Sequence, residues 1–271
     1  MSKKQRARRR VKGRLFGMNR PIYNQAPPVG FPNTRSFIFN GPPDDDRFEI
    51  PSAIEWDIQD EITMIAWAKA NANPPTEAGF LIDKFTSTGG YSILQSDTAS
   101  GSWRATVHTI NDGNQHATSS NIDVTPGVWQ CIIGTYKSST GVLKLYVDGV
   151  LKDTETSPGP LPDLIDTNSV DILIGCGTPT PNFEFNGLIN DTAIFNVAFN
   201  QAEVDEVMAT GKPGNLELHT QAVAMPPRLV GYFRPTAASF IVPNWQMEDP
   251  INGTFAISQG MDATNESFDT P

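Results

Sequence analysis

Cysteine is nearly absent: Cys131 and Cys176 are the only two in 271 residues. Two thiols cannot staple a disulfide-framed scaffold. Both lie in apolar stretches, where buried free thiols are the expected state, although spacing leaves pairing open. Histidine is equally sparse. His108, His116 and His219 are scattered without Cys or Asp at ligand spacing, which gives transition-metal chemistry no motif. No Ser-His-Asp elbow and no Gly-rich phosphate loop occurs. No apolar run approaches transmembrane length, so membrane insertion is not expected. The basic start looks like the first part of an export signal. However, Val11 to Pro32 is broken by Lys12, Gly13, Arg14, Asn19, Arg20 and prolines, so no apolar segment follows and signal-peptide export is not expected.

Charge is unevenly placed. The net charge is −10, from 20 Lys/Arg and 30 Asp/Glu. Nine of the 20 cations fall in the first 20 residues, which hold no acid, so the rest carries 11 cations against 30 acids, a net −19. A cationic arm therefore precedes an acidic body. The body is a poor surface for nucleic acid, whereas the arm suits any polyanion. The arm's cations are Lys3, Lys4, Arg6, Arg8, Arg9, Arg10, Lys12 and Arg14, without an interleaved aromatic before Phe16. That pattern fits phosphate or carboxylate contacts rather than base stacking.

Three zones follow. Residues 1–34 are the arm and a Pro-rich linker, 35–211 a dense series of short β patterns, and 212–271 a Pro-punctuated extension. Strands are expected at Ile62–Ala68, Gly79–Lys84, Tyr91–Gln95, Trp103–Ile110, Val128–Tyr136, Val142–Val147 and Val170–Ile174. All are rich in β-branched and aromatic residues and bounded by turn formers. Asp148-Gly149 suits a two-residue hairpin turn with positive φ. One short helix is expected after Asn200, with Glu203 at the capping-box position, Val204, Val207 and Met208 on one face, and Gly211 as its stop. The fold class is all-β: an antiparallel sandwich with one helix.

The segments also resemble, in order, the laminin-G-like jelly rolls of the concanavalin A-like lectin/glucanase superfamily. The resemblance is carried by Phe37–Gly41 with Phe48–Pro51, Thr63–Trp67, Trp129–Tyr136, Leu143–Gly149, Phe185–Asp191 through Asn196, and the helix with Ala202-Glu203-Val204. Leu229–Arg234, Asn252-Gly253-Thr254 and the ending with Met261, Ala263, Asp269 and Pro271 resemble laminin-G-like structural proteins of tailed phages. This implies a virion structural protein, a decoration, fibre or adhesin module. It would assemble in a host cytoplasm as a homo-oligomer, its arm bound to an acidic capsid surface, other virion proteins or packaged nucleic acid. A free lectin is the alternative, and a glycoside hydrolase the third reading.

The resemblance also suggests sites. A rim calcium would draw on Asp45, Asp46 and Asp191, hard oxygen donors suited to that cation. Glycans would stack on exposed aromatics, for which Trp56, Trp103 and Trp245 remain once Trp67 and Trp129 are assigned to core positions. Hydrolases of the superfamily carry E-x-D-x-E or E-x-D-x-x-E on one strand. Here Glu55, Asp57 and Glu61 match only the first two members, and the last glutamate comes one residue late. The register places them in a solvated loop before a strand, so no catalytic residue is expected.

Overall fold

The computed structural model describes residues 33–72, 78–96, 101–118, 123–178, 183–209, 211–235 and 238–271. The arm, with Lys3, Lys4, Arg6, Arg8, Arg9, Arg10, Lys12 and Arg14, lies outside the described residues.

Strands are numbered β1 to β17 along the chain. One sheet runs β10 (Val150–Thr156), β9 (Val142–Val147), β8 (Gln130–Lys137), β3 (Glu61–Ala70), β12 (Asn186–Phe195), β1 (Ser36–Asn40) and β17 (Glu266–Ser267), with β13 (Leu229–Phe233) also on β12. The second runs β14 (Ser239–Ile241), β15 (Asn244–Glu248), β16 (Phe255–Gln259), β2 (Arg47–Ile50), β11 (Ile172–Ile174), β4 (Gly79–Thr86), β5 (Gly89–Gln95), β6 (Trp103–Thr109) and β7 (Gly113–Thr118). Neighbours are antiparallel, as the resemblance implied for a concanavalin A-like jelly roll.

Period-2 alternation sorts the side chains. Ile62, Met64, Ala66 and Ala68 of β3 enter the same core as Tyr91 and Ile93 of β5 and Trp103, Ala105 and Val107 of β6. Burying each large apolar side chain contributes roughly 1.5–3 kcal/mol, so this shared core holds the layers together. The sheets approach closely at Gly134 of β8, where a Cβ would lie 2.8 Å from the Ala105 Cβ. Only a residue without a side chain fits that crossing.

The expected strands form, with ends shifted by a residue or two. At the hairpin, Asp148 (φ 51°) and Gly149 (φ 78°) place Val147 opposite Val150. Strand β7 carried no strand signal in the sequence; β10 follows the expected hairpin turn as an exposed edge.

The helix α1 (Gln201–Met208) is capped as expected. The Asn200 side chain accepts from the Ala202 and Glu203 N–H groups, and the Glu203 carboxylate accepts from the Asn200 N–H. Val204 and Val207 are buried. The β3 face opposite the core carries Ile65 and Trp67, and both are buried too. Near the helix, Phe199 lies 4.7 Å from Phe195 of β12 and stacks on His219 at 4.5 Å.

Residues 212–271 serve both sheets of their own chain. β12 pairs with β1 along its first half and with β13 along its second, on the same edge. β16 joins β2, carrying β15 and β14 outward, and β17 returns to β1.

Candidate functional site

The stretch from Ile54 to Glu61 builds one wall of an open groove of about 610 Å³. It begins as a single 3-10 turn, Ile54–Trp56. The Trp56 ring is fully buried, with its edge against Gly231 and Phe233 of β13, and the Tyr91 hydroxyl donates to the Trp56 carbonyl at 3.1 Å. With Trp56 and Ile58 buried, Glu55, Asp57 and Gln59 stay accessible. The backbone is pinned from outside: Ile165 N–H donates to Gln59 O at 2.9 Å and Ser138 N–H to Asp60 O at 2.8 Å. Ser138 and Ser139 after β8, Asn196 and Val197 after β12, and Arg228 before β13 complete the lining.

Two of the groove's carboxylates are neutralised. Burial alone would raise Glu61, but the Lys137 ammonium at 2.8 Å, the Ala198 N–H at 3.1 Å and the field of Arg228 together hold it below its ordinary value. Asp57 lies 3.5 Å from the Lys84 ammonium. Lys84 is buried, which pushes its pKa down, yet it donates to the Asn168 and Val170 carbonyls at 2.8 and 3.0 Å. It thereby ties the 168–170 loop to the groove wall. Glu55 and Asp60 stand with Arg228 as the groove's other charges.

Glu55, Asp57 and Glu61 thus come together in one groove but not on one strand. Glu55 belongs to the turn, Asp57 to the connecting loop and Glu61 to the start of β3. The arrangement of carboxylates on one strand face is not met: Glu55 and Asp57 precede the strand, as expected, whereas Glu61 is its first residue.

The three tryptophans expected as glycan platforms are buried instead, because each fills core space and satisfies or hides its N–H. Trp56 sits under β13; Trp103 is fully buried, donating to Gln130 Oε1 at 3.2 Å. Trp245 packs 5.0 Å from Phe37 and 5.1 Å from Phe240, and donates to the Asp262 carbonyl at 2.7 Å. Trp129, assigned to the core from its motif position, is instead partly exposed, with its N–H on Asp269 Oδ1 at 3.0 Å.

The three aspartates expected to hold calcium do not assemble a cage. Asp46 is buried and accepts from the Asn40 N–H (3.1 Å) and from the Asn40 and Asn265 side-chain amides at 2.7 and 3.1 Å. Asp191 is buried on β12 and accepts from the Tyr232 hydroxyl at 2.7 Å; burial pushes it up to about 6. Asp45 pairs with Arg47 and gathers with Cys176 and Glu184, not with Asp46 or Asp191. Both cysteines are free and buried.

Ser138, Ser139, Asn196 and Arg228 escaped sequence reasoning. They lie in three turns far apart along the chain; Asn196 ends a motif of the resemblance but with no role attached to it, and strand order brings them all to Glu55.

Among solved structures, a candidate carbohydrate-binding protein from Bacteroides ovatus is similar over 84% of this chain, at 13% identity and a TM-score of 0.61. This chain spans 59% of that protein's length. A heptameric SAP-like pentraxin from Limulus polyphemus is similar over 65% of this chain and 82% of its own, at 14% identity and a TM-score of 0.47. The CBM40 of a Ruminococcus gnavus IT-sialidase, bound to α2,3-sialyllactose, is similar over 59% of this chain and 92% of its own, at 13% identity and a TM-score of 0.45. At these identities the likeness is one of fold. A search of curated proteins by sequence returns no significant match. The family model Laminin_G_3 matches residues 42–205, and the chain, a two-sheet sandwich, belongs to that family of the concanavalin A-like lectin/glucanases superfamily.

Proposed function

We propose that the protein is a non-catalytic glycan-binding module that serves as a virion structural component. The observation that carries glycan binding is the open groove of about 610 Å³ lined by Glu55, Asp57, Gln59, Ser138, Asn196 and Arg228. Carboxylates, amides and hydroxyls in a shallow concave site match sugar hydroxyls, which both donate and accept. Catalysis is disfavoured on geometric grounds: Glu55, Asp57 and Glu61 lie in a turn, a loop and the start of β3 rather than along one strand face. The full chain on a glycan array should retain a discrete set of ligands, and Arg228→Ala should weaken them about tenfold through the lost charge-assisted bonds. A blank array would sink this reading.

The virion role rests on the arm and the tail. Eight cations within 14 residues suit an acidic protein surface or packaged nucleic acid. The last residues resemble those of phage laminin-G-like proteins, and Asp269 in that ending fastens to Lys69 and Trp129. Sedimentation of the source material followed by peptide identification should find the chain in a megadalton particle. A monomer or small oligomer there would remove the virion role and leave a free lectin.

A further inference from the structure

Outside the groove, three side chains of different chemistry meet where the β1–β2 turn touches the segment after β11. One ligand atom each from Asp45, Cys176 and Glu184 lies within 4.8 Å of the others. Cys176 and Glu184 are buried, while the Asp45 side chain is 42% exposed and opens the cluster to solvent. We propose that these three residues form a site for a borderline divalent cation of the Zn²⁺ class.

A second observation points the same way. Asp83 of β4 is 1% exposed; the Thr178 N–H donates to its Oδ2 at 2.9 Å, but its Oδ1 has no hydrogen-bond partner. That bond joins Asp83 to the segment that carries Cys176, two residues before Thr178. Ser92, opposite Asp83 across the β4–β5 ladder, is also buried, with an unpartnered hydroxyl. Buried polar atoms left without partners cost about 1–3 kcal/mol each, and a bound ion with its water would relieve both.

The charge balance agrees. Arg47 pairs with Asp45 and with Glu49, so one guanidinium is divided between two carboxylates. Burial first, then Glu184, Asp45 and Asp83, push the Cys176 thiol up to about 12 against the opposing pull of Arg47. A cation inverts that preference: it binds the thiolate and releases the thiol proton to solvent. One thiolate and two carboxylates make a donor set of mixed softness, which selects zinc-like ions over calcium. Zinc bonds of about 2.0–2.3 Å require the three side chains to close by roughly an ångström around the ion.

Co²⁺ titrated into the full chain is the test, because a cobalt–thiolate bond has an intense near-ultraviolet charge-transfer band. The expected result is a saturating band that Zn²⁺ bleaches. Cys176→Ser should remove it, Cys131→Ser should keep it, and Glu184→Gln should weaken binding tenfold or more, with circular dichroism confirming that each variant is folded. Glu184→Gln leaves the thiol in place, so it decides the matter if Cys176→Ser does not fold. No band, a band unchanged in Cys176→Ser, or one unchanged in a folded Glu184→Gln overturns the site.

Discussion

The Tyr232 hydroxyl lies 2.7 Å from Asp191 Oδ2 and 2.9 Å from the Gly214 carbonyl, with its one proton between the two acceptors, fastening β13 to β12 through a buried carboxyl. Tyr232→Phe deletes both bonds and strands the Asp191 oxygen among apolar neighbours. Unsatisfied buried groups of this kind cost about 1–3 kcal/mol, and chemical denaturation should record a loss of that size. No change in the midpoint would mean that water replaces the hydroxyl.

Asp191 and Asp249 also set a pH dependence. Burial pushes each up to about 6 despite the hydrogen bonds they accept. A folded-state pKa above the unfolded value means that the folded state binds protons more tightly. The penalty for ionising them is absent below the unfolded value of about 3.9 and complete above about 6. Thermal stability should therefore fall as pH rises from about 4 to about 6 and level off above that, by at most about 3 kcal/mol per group at two units each. Asp191→Asn should flatten the profile; an equally steep profile in that variant would assign the slope elsewhere.

Gly134 offers a steric test. A methyl group there would sit 2.8 Å from the Ala105 Cβ, so Gly134→Ala should cost about 1–3 kcal/mol by forcing the sheets apart. Ala105→Gly in the same chain should restore most of that loss. Additive effects in the double-mutant cycle would show that the two positions do not press on each other.

At the C-terminal end, Asp269 accepts from Lys69 and from the Trp129 indole, which hold its pKa below the ordinary value. Asp269→Ala should cost under about 1 kcal/mol, as for exposed pairs, while altering Trp129 fluorescence. It should also speed proteolysis after Phe268. An unchanged emission spectrum would show that the tail's contact does not set the indole environment.

Much of the fold was legible because alternation is written locally. Leu143, Leu145 and Val147 announce a strand, Asp148-Gly149 its turn, and Asn200 with Glu203 a helix start. Site residues were harder, since a side chain's exposure depends on what packs over it. Trp56 and Trp245 read as free aromatics until β13 and Phe37 are placed beside them. Trp129 read as core, yet it stands one residue before β8 begins, where its indole N–H meets Asp269, 140 residues later. The groove combines Glu55 with Ser138, Asn196 and Arg228, a neighbourhood that no local pattern encodes.

The pairing of Ser36 with Ser267 has a consequence for how the protein is made. β1 leaves the ribosome long before its partner, since Ser36 must wait for Ser267. β2 likewise waits for β16. During synthesis both strands expose hydrogen-bonding edges that their own chain has not yet covered, at the stage when neighbouring nascent copies are most able to trade strands. Premature termination anywhere before Phe255 would leave β2 without that neighbour, so fragments from stalled translation should aggregate rather than persist as smaller sandwiches.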